Sequence, residues 1–155
     1  MSAGLDLAVP LRTAILGLPT VTDLLGTYVN EPSVHTRRPA PGEATFPMIL
    51  ISPDVFVSDQ DALSTFRPVV GRDIGVYGRT VQEGEFGHQD DYRAIEEIGY
   101  ALREAFHRQR EILYVEDYNV IDIVAAGPYP APTGDDRLIG RVVSLRIRLQ
   151  RRLNS

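Results

Sequence analysis

Cysteine, lysine and tryptophan are all missing from this 155-residue chain. Without cysteine there is no disulfide framework, no thiol nucleophile and no thiolate metal site. Without lysine, Schiff-base chemistry, pyridoxal-phosphate attachment and the P-loop lysine are excluded together. All 16 basic residues are therefore arginine. That usage reflects either a GC-rich coding sequence or the suitability of arginine for bidentate pairing at interfaces. Long apolar runs are absent too: stretches such as Phe46 to Ile51 are far short of a membrane span. Asp6 precedes the first base, Arg12, so the amino terminus does not read as a basic targeting segment. The expectation is a soluble chain with no membrane partner, cytoplasmic at synthesis.

What is present is an ordinary globular composition, 43% hydrophobic and 24% charged, of a length that suits one domain over residues 1–155. Charge is unevenly spread. Residues 1–136 hold ten arginines and all 21 acids, net −11, whereas residues 137–155 hold six arginines and no acid, +6, which together give the chain's −5. The basic end can pair with acids of its own fold, with an acidic neighbouring subunit or with nucleic acid.

Leu5 to Leu16 carries a broad apolar stripe that predicts an amphipathic helix, with a start near Asp6 or, because of Pro10, closer to Val9. Thr20 with Asp23 resembles a capping pair for a short second helix through Leu25, stopped by Gly26. Met48 to Ile51, between Pro47 and Pro53, reads as a buried strand, and Val69 to Tyr77 as a second, closed by Gly78. Asp91 to Gln109 is the clearest helix: Ile95, Ile98, Leu102 and Phe106 line one face, and Asp90 or Asp91 can cap it. Asn119 to Ala126 and Leu138 to Gln150 read as strands, the last with Val143, Leu145, Ile147 and Leu149 on one face and Arg146 and Arg148 on the other. The sum is an α+β fold: an antiparallel or mixed sheet of about four strands with helices on one face. Core positions are Ile95, Ile98, Leu102, Phe106, Leu145 and Ile147.

No constellation for catalysis stands out. His35, His88 and His107 have no spacing that converges on a metal, and the acids beside His88 are explained by helix capping. Gly71, Gly75 and Gly78 interrupt a strand and do not match the dinucleotide fingerprint; bulges or close backbone approach explain them. No serine sits in a nucleophile elbow. The sequence therefore predicts no enzyme, no metal and no cofactor. Four long connections, 30–45, 58–68, 78–89 and 127–137, are instead candidates for contact with other chains. Phe66 and Phe86 are large apolar side chains in such polar connections, so they either contact partners or fold back over the core.

The order of segments is more telling than any residue. "LLGTYV", "FPMILI", "GRDIGVYGR", "YRAIEEIGYALREAFH" and "RLIGRVVSLRIRL" follow one another from Leu24 to Leu149, after an amino-terminal helix. This order resembles the tail-terminator, or tail-completion, family of tailed bacteriophages, prophages and gene-transfer agents. The resemblance implies a non-catalytic virion subunit that forms a hexameric ring on the head-proximal end of the tail tube, stops tube growth and offers its other surface to the head-completion or neck protein. DNA would pass through the ring. Phe66, Arg67, Phe86, His88, Arg37 and Arg38 are then candidate contacts with the tube or an adjacent subunit, and Arg146 and Arg148 face either the channel or a neighbour. The alternatives are another head–tail connector subunit, or a cytoplasmic ligand-binding α+β domain or small hydrolase.

Overall fold

A computed structural model describes residues 6–36, 45–52, 67–80 and 91–152, together with the backbone of 56–59. Helix α1 runs Ala8–Leu16 and α2 Pro19–Thr22; the short strands β1 (Thr27–Tyr28), β2 (Glu31–Pro32) and β3 (Val34–His35) follow. Next come β4 (Met48–Ile51), β5 (Phe56–Asp59), β6 (Pro68–Arg79), helix α3 (Tyr92–Phe106), a single 3-10 turn at Arg110–Ile112, β7 (Tyr118–Ala131) and β8 (Leu138–Arg151).

The fold is α+β, with more strands than the expected four. A six-stranded sheet has the order β3-β4-β6-β8-β7, and β5 pairs with β6 beyond β4; β1 and β2 form a separate pair. The sheet is mixed, because β3 runs parallel to β4 while every other pairing is antiparallel. The additional strands, two residues long in β1 to β3, are too short to print an alternation on the sequence. Part of the 30–45 connection is therefore strand, as are Ser58 and Asp59 of the 58–68 connection.

Helix α1 begins at Ala8, between the two expected starts, because Asp6 Oδ1 accepts the Ala8 N–H at 2.9 Å. Pro10 is then the third helical residue, where an N–H would have no intrahelical partner anyway. Thr20 does not cap α2. Pro19 opens that helix and it ends at Thr22, while the Gly26 N–H donates to the Pro47 carbonyl at 2.8 Å instead of closing a helix.

Strand β6 passes through Gly78 to Arg79 in unbroken register with β8, so its glycines mark no bulge. Gly78 instead lets Asp91 lie close: a Cβ there would be 2.5 Å from that of Asp91. Asp91 precedes α3 without capping it, and its carboxylate accepts the Arg79 N–H at 2.8 Å. Helix α3 stops three residues short of Gln109, because His107 is extended, with ψ 116°, and Arg108 then enters the left-handed region at φ 59°. Strand β7 continues five residues beyond Ala126, through cis Gly127–Pro128 and a register shift between Ala126 and Tyr129, since an edge strand tolerates proline.

One face of the sheet packs on the helices. Ile95, Ile98, Leu102 and Phe106 of α3, Leu11 and Ile15 of α1, Val70, Ile74 and Val76 of β6, Ile123 of β7, and Val143, Leu145, Ile147 and Leu149 of β8 are all buried in this layer. Alternation puts Arg72 of β6 on that apolar face, where it is 4% exposed.

Candidate assembly surfaces

Arg146 and Arg148 are exposed on the opposite face of the sheet, across from Gly71 and Val69 of β6 and from Val124 and Asp122 of β7. Among the described residues neither guanidinium is paired with a carboxylate. The two nearby acids are engaged elsewhere: Asp73 accepts from the Ser144 hydroxyl at 2.8 Å, and Asp122 pairs with Arg108. The sheet thus keeps an unpaired, i,i+2 pair of positive charges on a face that no described helix covers.

Strand β7 is one edge of the sheet. A 14-residue edge with free N–H and C=O groups invites edge-to-edge pairing with another chain. Here the middle of the edge is covered. The His107 Nδ1 accepts the Ala125 N–H at 3.1 Å, and the Arg108 N–H donates to the Ile123 carbonyl at 2.7 Å. Further along, Pro128, Pro130 and Pro132 supply no donors. At its start the Tyr118 N–H donates to the Val115 carbonyl at 3.2 Å.

Beside that start lies an open groove of about 390 Å³, lined by Leu113, Tyr114, Tyr118 and Ile121 among others, with Arg110 and Arg152 at its rim. Tyr114 is 68% and Ile121 44% exposed. Arg152 stands over the Tyr114 ring and donates to Asn119 Oδ1 at 3.0 Å. At the other edge of the sheet, β1, β2 and β3 form a second open groove of about 400 Å³ with Arg12, Tyr28 and His35 in its lining. His35 bonds the fully buried Ser33 hydroxyl at 2.8 Å through Nε2, and burial, then the Arg12 charge, hold its pKa below the ordinary value of 6.5. A neutral imidazole beside a hydroxyl with no solvent exposure is a packing pair, not an activated nucleophile.

The positions picked from the sequence fall in three places. Ile95, Ile98, Leu102, Phe106, Leu145 and Ile147 are buried between α3 and the sheet. Arg67 is exposed just before β6, and Arg146 and Arg148 are exposed as described. Phe66, Phe86, His88, Arg37 and Arg38 lie outside the described residues. Among the described residues no three histidine or acidic side chains gather as a metal site, and no helix is long and apolar enough to cross a membrane. Sequence reasoning passed over Val29, Tyr114 and Ile121. The signal available for the first was the two-residue spacing of "TYVNEP", a hairpin without the usual glycine.

No family model matches the sequence, and no curated protein matches it. The fold itself has solved counterparts. A chain in the structure of the virion of a native gene transfer agent particle superposes with a TM-score of 0.71, covering 94% of this chain and 95% of that one at 13% identity. The two share a fold over nearly their whole lengths.

Proposed function

We propose that this chain is a structural virion subunit that caps the head-proximal end of a tail tube as a ring, six subunits being the expected number. The observation that carries the proposal is the end-to-end likeness in fold to a component of a gene transfer agent virion. It agrees with the resemblance read from the order of segments. The ring ends tube growth on one side and offers the other to a head-completion or neck protein; it needs no cofactor and performs no catalysis.

The edge of the sheet supports this reading physically. A subunit that stops polymerisation must bind a growing end without offering another. An edge covered by His107 and Arg108 and then interrupted by prolines is poorly suited to being extended strand by strand. Arg146 and Arg148, which have no carboxylate partner among the described residues, would face either a channel that passes DNA or an acidic neighbour; the second is the better use, since an interface pair is less screened by salt. Electron microscopy of particles assembled without this chain tests the proposal. Overlong tails support a terminator, whereas tails of normal length detached from filled heads identify a connector subunit.

A further inference from the structure

The turn between β1 and β2 holds a residue that its backbone does not suit. Tyr28 pairs with Glu31, so Val29 and Asn30 alone form the turn, at φ 50° and φ 62°. Both central residues therefore occupy the left-handed region, where asparagine and glycine are at home and a β-branched side chain is an outlier. Val29 is also 75% exposed. A strained and solvent-facing valine gains nothing from the fold that contains it.

The turn is nevertheless held firmly. Arg12 donates to Glu31 Oε2 and to the Val34 carbonyl, each at 3.1 Å, and the Tyr28 ring stands edge-on to His35 with centroids 5.5 Å apart. Such bracing fixes the direction of Val29 before any partner arrives, which lowers the ordering cost of binding. The groove of about 390 Å³ with exposed Tyr114 and Ile121 lies beside β7, at the edge of the six-stranded sheet opposite β3, the strand that follows the turn. The charges also match. Arg152 at the groove rim has no carboxylate partner among the described residues, and Glu31 beside Val29 keeps 64% of its side chain exposed.

We propose that the Val29–Asn30 turn of one copy seats in the Tyr114–Ile121 groove of the next. Because the turn and the groove are two different surfaces of the chain, this is a head-to-tail contact, the kind that closes into a ring when its rotation allows. The inference rests on the ring reading above and supplies its contact.

The absence of cysteine makes the test clean. The double variant Val29→Cys with Tyr114→Cys, oxidised mildly under conditions where wild-type rings are seen on tube ends, is expected to give a ladder of interchain disulfides that stops at the ring size. Either single variant alone gives no ladder, since bridging needs Cα atoms within about 7 Å. Val29→Asn, which suits the turn, is expected to melt no lower than the parent and to lose ring assembly. If rings form but no ladder appears, or if Val29→Asn assembles normally, this contact is wrong and the ring reading stands. If wild type forms no ring at tube ends, both fall.

Discussion

Arg72, in the middle of β6, reaches out of the core to Asp6, with Nη2 2.9 Å from Oδ1. The arginine is 4% exposed and faces the helix layer, while the aspartate side chain remains 69% exposed. The same Asp6 oxygen accepts the Ala8 N–H at the start of α1. One carboxylate therefore starts the first helix and compensates the one buried guanidinium among the described residues. Arg72 also donates to the Ser52 carbonyl, which fastens the end of β4.

Asp6→Ala should lower stability by about 1–3 kcal/mol, because it removes the acceptor of the Ala8 N–H and a charge-assisted bond to Arg72 together. Arg72→Met in the same chain should cost less than Arg72→Met in the parent, since its contact with Asp6 is already gone. A double-mutant cycle by chemical denaturation checks both; strict additivity would mean the two residues do not act as a pair.

Gly99 is the second test of packing. A Cβ at this helical position would stand 2.8 Å from Cβ and 3.0 Å from Cγ of Pro128 on β7. Alanine is favoured over glycine inside a helix by about 1 kcal/mol. Gly99→Ala should nevertheless lower the melting temperature, because neither the proline ring nor the strand beneath it can move aside without cost. A raised melting temperature would show that α3 and β7 lie further apart.

Acid should weaken the amino-terminal half of the fold. Burial and Arg12 hold the His35 pKa below the unfolded value of about 6.5, so the unfolded state takes up a proton first as pH falls. Stability from this group is complete above pH 6.5 and declines as pH drops through the unfolded and then the folded value. His35→Gln should flatten that part of the stability profile measured between pH 7.5 and 5.

The cover on the β7 edge also has a measurable consequence. His107→Leu leaves the Ala125 N–H without its acceptor and should cost about 1 kcal/mol. The larger effect should be on association. Light scattering should report concentration-dependent aggregates in this variant and none in the parent, because an uncovered edge is a template for pairing.

Much of this architecture is legible in the sequence, and the exceptions have physical causes. Helix α3 and strand β8, 15 and 14 residues long, declare themselves through the periodicity of their apolar residues, and their buried faces are those that the pattern marks. Strands β1 to β3 do not, because two residues carry no period. The second half of β7 was hidden by prolines that usually mark a loop; on an edge strand the missing N–H points away from the ladder and is tolerated. Alternation sets Arg72 on the face of Val70, Ile74 and Val76, yet nothing local announces that a partner lies 66 residues earlier. The assembly surfaces were the least legible, since exposed Tyr114 and Ile121 share a groove only once the chain is folded, and Val29 stands in a turn between two-residue strands.

The most direct test of the capping role is tube length. Purified chain added at rising ratios to polymerising tail-tube protein should shorten the tubes in proportion, and each stopped tube should carry a single ring at one end by cryo-electron microscopy. Tubes whose length distribution does not change with the ratio, and whose ends bear no ring, would contradict it.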